Sequence, residues 1–237
     1  MSAGPTAVLL DIEGTTTPLD FVTRLLFPWA HEHVAEYLAR NWADAETGRD
    51  MAALRAEHQR DAAAGLEPPP WDDTAQAVAA YARWLMDRDR KVTALKSLQG
   101  RIWEEGFRVG GLEGQVYEDV PRAFDRWREA GRLIAIFSSG SVLAQRLLFG
   151  HSNAGDLVPF LAACFDTTTG PKREARSYRR IAGVLGLDPR SILFVSDTAA
   201  ELDAALEAGL ATALCLREEG MLAAPGHRVV RTFDDLA

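Results

Sequence analysis

Cysteine is nearly missing from this chain, with two in 237 residues. Cys164 and Cys215 sit in the apolar stretches "LAACF" and "TALCL". They read as reduced core residues, with a disulfide or metal pair as the minor reading. Long apolar runs are missing too. No stretch approaches the roughly 18 residues that suggest a membrane span, and the first residues lack the basic and apolar regions of a secretory signal. A cytoplasmic protein with no membrane partner is the expectation. Positive charge is also scarce: 26 Lys and Arg against 34 Asp and Glu leave a formal net charge of −8. That balance argues against nucleic acid and anionic lipid as partners. A few cations focused in one cleft can still hold a small anion.

Hydrophobic residues make up 47% of the chain and charged residues 25%, ordinary for a globular protein with a sizeable core. Residues 6–11, "TAVLLD", read as a short buried strand. From about 20 to 105 the apolar spacing becomes helical. Pro28 marks a kink or restart, Gly65 a stop, and "EPPPWDD" a rigid turn. Asp72 or Asp73 is expected to cap the next helix and Thr93 the one after. Gly110, Gly111 and Gly114 suggest a hinge or crossing point. Beyond them, helices at 119–130, 141–149, 173–185 and 199–208 alternate with strands at 132–138, 162–166, 191–196 and 211–216. Alternation of this kind predicts an α/β fold: a doubly wound, Rossmann-like parallel sheet covered by helices. The expected organisation is a catalytic core of 1–19 and 115–237, interrupted by an all-helical cap domain, 20–114.

Open parallel sheets bind ligands outside the carboxyl ends of their strands. Strand one delivers Asp11 and, two residues on, Glu13. The strand at 132–138 delivers Ser138, followed by Ser139, Gly140 and Ser141 at a helix start. The strand at 191–196 delivers Ser196, Asp197 and Thr198, and Lys172 precedes another helix. Each has a bland explanation: the serines and Asp197 as helix caps, Lys172 as a solvated lysine. Together they form a set for Mg²⁺ and a phosphate. Asp11 and Asp197 offer the hard oxygen ligands that Mg²⁺ takes, and the serine-lined helix start offers donors to phosphate. A carboxylate such as Asp11 can then attack phosphorus, with Glu13 placed to handle protons.

"DIEGTT", a downstream strand-end serine, a lysine and a strand-end aspartate resemble the four motifs of the haloacid dehalogenase superfamily. That superfamily normally has Asp where this chain has Glu13. "LLDIEGTTTP", "LFPWAHEHVAEYL", "LKSLQGRIWEEGF", "SSGSVLAQRLLFGHS" and "FVSDTAAELDAA" further resemble the enolase-phosphatase (acireductone synthase) family over nearly the whole chain.

The resemblance implies a methionine-salvage enzyme. Its substrate is a small phosphorylated diketone, 2,3-diketo-5-methylthiopentyl-1-phosphate, which is enolised and then dephosphorylated. By position, Asp11, Glu13 and Asp197 match the site of one Mg²⁺ per chain. Ser138, Ser139 and Lys172 match the substrate-phosphate site, and Asp11, Glu13 and Lys172 match the catalytic set. Pro171, before Lys172, departs from the pattern and could shift the local backbone. A Mg²⁺-dependent phosphatase of the same superfamily with another substrate is the alternative.

The enolisation base stays open among Glu13, Lys96, Glu104 and Glu105. The insert is expected to close over the strand ends. Trp103 and Phe107 either line the methylthio pocket or belong to the cap core. His151 either positions phosphate or caps a helix. A monomer is expected.

Overall fold

The computed structural model describes residues 4–218, 220 and 223–236. The chain forms two compact units: one runs through Phe21 and resumes at Glu113, and the other spans Val22–Leu112. The first unit opens with β1 (Ala7–Leu10), whose four residues are fully buried. A continuous apolar run is what a central parallel strand, covered on both faces, requires. After β1 and a tight turn comes a single-turn helix, α1 (Leu19–Phe21).

The second unit begins with a wide π-type turn at Val22–Leu26 and continues through α2 (Phe27–Arg40), α3 (Ala45–Ala63), α4 (Ala75–Met86) and α5 (Thr93–Arg108). Pro28 restarts the helix as α2. It sits in the first turn, where its missing N–H costs nothing. Two expected caps are corrected. Thr74, not Asp72 or Asp73, caps α4: its hydroxyl accepts from Ala77 N–H (3.3 Å), while Asp72 accepts from Thr74 N–H (3.0 Å). Thr93 is the first residue of α5, with Val92 at the capping position and no side-chain cap.

Gly111 marks a close approach. A Cβ there would come within 2.4 Å of the Trp29 ring, and one on Gly106 within 2.6 Å, so α2 and the end of α5 meet only because both are glycine. Trp103 and Phe107 are both buried, and the Trp103 indole donates to Leu26 O (2.7 Å), satisfying a carbonyl of the π-type turn. A polar staple ties α3 to α4. Asp61 accepts from Tyr81 Oη (2.7 Å) and Arg90 (2.9 Å), and Arg90 also reaches Glu57 (3.1 Å).

Back in the first unit follow α6 (Asp119–Glu129), β2 (Leu133–Phe137), α7 (Val142–Gly150), β3 (Leu161–Phe165), α8 (Ala175–Leu185), β4 (Ile192–Ser196), α9 (Ala199–Glu207), β5 (Ala211–Cys215) and β6 (Arg228–Val230). All six strands are parallel, in the order β3-β2-β1-β4-β5-β6. Strand order reverses beside β1, which puts the ends of β1, β2 and β4 next to one another at the switch point. β6 is an addition to the expected strands: three residues at an edge, two of them exposed, give almost no periodic signal. One face of the sheet packs Leu9, Phe137 and Phe194 against Tyr178, Ile181 and Leu202 of α8 and α9. Among the described residues no helix is long and apolar enough to cross a membrane. Both cysteines are free thiols; Cys215 is buried, and its thiol is pushed up to about 11, first by burial.

Candidate active site

The turn after β1 sets the geometry. Asp11 N–H continues the ladder to Val195 O (3.0 Å), and Ile12 N–H then donates to Asp11 Oδ1 (2.7 Å), fixing the carboxylate at the strand end. Gly14 is needed there twice over. Its φ of 68° is left-handed, and a Cβ would come within 2.3 Å of Asp197 Oδ2. The Asp197 carboxylate therefore lies directly against the Gly14 backbone. Glu13 is exposed and pairs in an isolated bridge with Thr17.

Lys172 reaches the same point from the loop before α8. Its Nζ lies 2.7 Å from Asp11 Oδ1 and 2.6 Å from Glu201 Oε2, with all three side chains nearly buried. Burial opposes the Lys172 ammonium, but Asp11 and Glu201 outweigh it and raise its pKa. Ser196 Oγ lies 2.9 Å from Asp11 Oδ2 and 3.2 Å from Glu201 Oε2, and accepts from Thr198 N–H (3.1 Å). Burial, and then the charge of Asp11, push the carboxyls of Asp197 and Glu201 up. Asp197 is no helix cap: Thr198 takes that position, its hydroxyl donating to Asp197 Oδ1 (3.0 Å).

At the end of β2, Ser138 is buried, and its Oγ accepts from Gly140 N–H (3.1 Å); Ser139 is exposed. Ser141 is the cap of α7, accepting from Ala144 N–H (3.2 Å). His151 ends α7, donating its N–H to Leu147 O (3.0 Å). In the helical unit Glu105 is ion-paired with Arg40 (2.5 Å), whereas Lys96 and Glu104 are exposed.

Four residues of the site go beyond the sequence expectation. Glu201 stands four residues after Asp197, a spacing that carries a first-turn carboxylate back to the preceding strand end. Asp166, after β3, accepts from Val142 N–H at the start of α7 (3.3 Å). Tyr178 and Ser177 of α8 donate to Lys172 O (2.6 Å) and Pro171 O (2.7 Å). That pair anchors the loop despite its proline.

Comparison with known proteins agrees with this geometry. The family model for haloacid dehalogenase-like hydrolases matches residues 5–209. Enolase-phosphatase E1 of Synechococcus elongatus is 54% identical over 98% of this chain and 97% of its own. The Drosophila melanogaster protein of that name is 48% identical over 90% of this chain and 83% of its own. This chain belongs to the enolase-phosphatase E1 family of haloacid dehalogenase-like hydrolases. It is an enolase-phosphatase, and phosphatases of this superfamily generally use Mg²⁺. The crystal structure of the UTR4 protein of Saccharomyces cerevisiae, 31% identical, superposes with a TM-score of 0.80 over 98% of this chain and all of that one. A dehalogenase at 19% identity and TM-score 0.55 shares the fold.

Proposed function

We propose that the carboxyl edge of this sheet carries both steps of the enolase-phosphatase reaction. The substrate is 2,3-diketo-5-methylthiopentyl-1-phosphate and the product the acireductone 1,2-dihydroxy-3-keto-5-methylthiopentene. The observation that carries the reading is an imbalance of charge. Asp11, Asp197 and Glu201 share one buried ammonium, Lys172.

In the first step a base removes a proton from the carbon bearing the phosphate ester and delivers it to the neighbouring carbonyl oxygen, which becomes the enol hydroxyl. The base then takes up a solvent proton before phosphate transfer, to be returned to solvent after the water attack. Glu13 serves best as that base. Glu105 is engaged by Arg40, while Lys96 and Glu104 remain candidates from the helical unit. In the second step an Asp11 oxygen bonds to phosphorus as the bond from phosphorus to the enol oxygen breaks. Glu13 gives that oxygen its proton. Glu13 then takes a proton from water as the water attacks phosphorus, which releases inorganic phosphate and restores Asp11. Lys172 orients the Asp11 carboxylate and offsets charge on the transferring group. Ser138 and Ser139, between the end of β2 and the cap of α7, bind phosphate oxygens.

The donor set fits one Mg²⁺. Asp197 lies against the Gly14 backbone, three residues from Asp11, and the charge of Asp11 helps push its carboxyl up, which places the two carboxylates side by side at the strand ends. The Asp11 and Asp197 carboxylates, with the Glu13 backbone carbonyl, would therefore hold the ion together with water and substrate oxygens, as Mg²⁺ prefers. When bound, it neutralises phosphate charge and stabilises the developing enolate. The helical unit is assigned the part of a cap that excludes water. One chain supplies every residue of this scheme, consistent with a monomer.

The test mixes the diketone phosphate with enzyme and Mg²⁺, or with EDTA, and follows enediol absorbance and phosphate release together. Absorbance rising before phosphate, only with Mg²⁺, is the expected result. Phosphate without an enediol signal would instead identify a plain phosphatase on the same scaffold.

A further inference from the structure

The turn carrying Glu13 and Gly14 is gripped by residues that the reaction scheme does not use. Inside the turn, the N–H groups of Thr15, Thr16 and Thr17 all donate to Ile12 O (3.1, 2.9 and 2.9 Å), and the Thr16 hydroxyl donates to Asp11 O (3.1 Å). Its two outward carbonyls are held from elsewhere in the α/β unit. Tyr117 N–H donates to Thr16 O (3.0 Å), and Arg217 Nε donates to Thr15 O (2.9 Å).

Arg217 lies two residues beyond β5, with its side chain 6% exposed. Its guanidinium stacks on two rings, 4.4 Å from the centroid of Tyr117 and 4.5 Å from that of Phe233. Nη1 donates to Asp119 Oδ2 (2.7 Å) and to Arg231 O (3.3 Å). The same Asp119 oxygen also accepts from Thr232 Oγ1 (2.9 Å) and Phe233 N–H (2.5 Å). A buried ion pair, two aromatic rings and the segment after β6 thus converge on one carbonyl of the catalytic turn. Buried pairs of this kind add little net stability over apolar packing. What the rigid guanidinium fork supplies is direction: two donors at a fixed angle, one for Asp119 and one for Thr15.

We propose that Arg217 is a positioning residue, which by holding the Thr15 carbonyl sets the orientation in which the turn offers Glu13 to the leaving oxygen. The proposal rests on the reading of Glu13 as the group that moves protons. It also gives the C-terminal segment a role, since Phe233 and Asp119 hold Arg217 in place.

The test compares R217K and D119N with E13Q and the unaltered protein. R217K keeps a cation for Asp119 but loses the fork; D119N keeps the shape and loses the charge that aligns Arg217. In R217K, kcat for phosphate release should fall about 10- to 100-fold, with KM changed less than about threefold, the scale expected when a reacting group is displaced by about an ångström. Amide exchange at Thr15, Thr16 and Thr17 should speed up by about tenfold or more, while exchange in β1, β2 and β4 stays unchanged. D119N should show the same pattern at smaller amplitude. If both variants keep kcat within about twofold, or if exchange rises across the whole sheet and kcat falls only with the folded fraction, the positioning role is overturned. Unimpaired phosphate release in E13Q would remove the underlying reading of Glu13 and the proposal with it. Impairment in E13Q alone removes only the proposal.

Discussion

Both units bury acids, but they balance them differently. In the helical unit, Glu57 and Asp61 face Arg60 and Arg90, and the Tyr81 hydroxyl adds a further donor to Asp61. Two negative charges meet two positive ones, and the network only has to hold α3, α4 and the following turn together. At the strand ends of the α/β unit, Asp11, Asp197 and Glu201 face one cation among the described residues, Lys172, so carboxyl groups outnumber the positive charge beside them. A stability-only design would not leave that excess in place, because uncompensated buried charge is expensive. The comparison teaches that charge balance, more than burial or the number of acids, separates a staple from a reactive site. Strain tied to function is expected where a local rule is broken.

The largest effect should come from removing the nucleophile. D11N should lower phosphate release by about 10⁴-fold or more, in the range found for deleted catalytic nucleophiles, with a far-UV spectrum unchanged. Next in size, K172M should lower kcat by about 10²–10³-fold, as for lost electrostatic stabilisers. It should also worsen the imbalance and destabilise the fold in urea titrations, by about 3 kcal/mol for a broken buried pair.

The metal-free protein offers a sharper contrast. Because the Asp197 and Glu201 carboxyls are pushed up in the folded state, they favour folding while protonated. Their contribution is full below the ordinary carboxylate range and is lost as pH rises through the folded pKa values. Melting in EDTA should therefore show stability falling as pH climbs out of the acid range. Saturating Mg²⁺ at neutral pH should restore about 2–3 kcal/mol at a hundredfold excess over Kd, and D197N should blunt that gain. The smallest effects belong to the balanced network. Y81F should cost about 1–3 kcal/mol by leaving a buried Asp61 oxygen short of a donor, and should leave kcat unchanged. A large kcat loss in Y81F would erase the distinction between the two regions.

Much of the active edge was legible because each element announces itself within a few residues. An apolar run ending in Asp11, Ser138 or Ser196 is visible in one window, and Gly14 marks the turn after Asp11. The missing parts depend on distance in sequence. Arg217 and Asp119 lie 98 residues apart, and nothing local to either announces the pairing. Glu201 reads as an ordinary surface acid until α9 folds its first turn back over β4. Asp72, Asp73 and Thr74 all carry side chains suited to capping α4. The Thr74 hydroxyl accepts from Ala77 N–H three residues on, from an extended backbone (φ −117°, ψ 152°), and that contact decides for Thr74. β6 pairs along β5 through just three residues, too few for a period to show.

The central claim is that the acid-rich strand ends transfer phosphate through Asp11. Its most direct test is a single turnover with excess enzyme and Mg²⁺, quenched in acid within milliseconds, followed by peptide mass mapping. The account predicts one transient phosphoryl group on the peptide containing Asp11, absent in D11N and gone once inorganic phosphate has appeared. Phosphate released with the full burst of product and no phosphoryl group on that peptide at any time would contradict it.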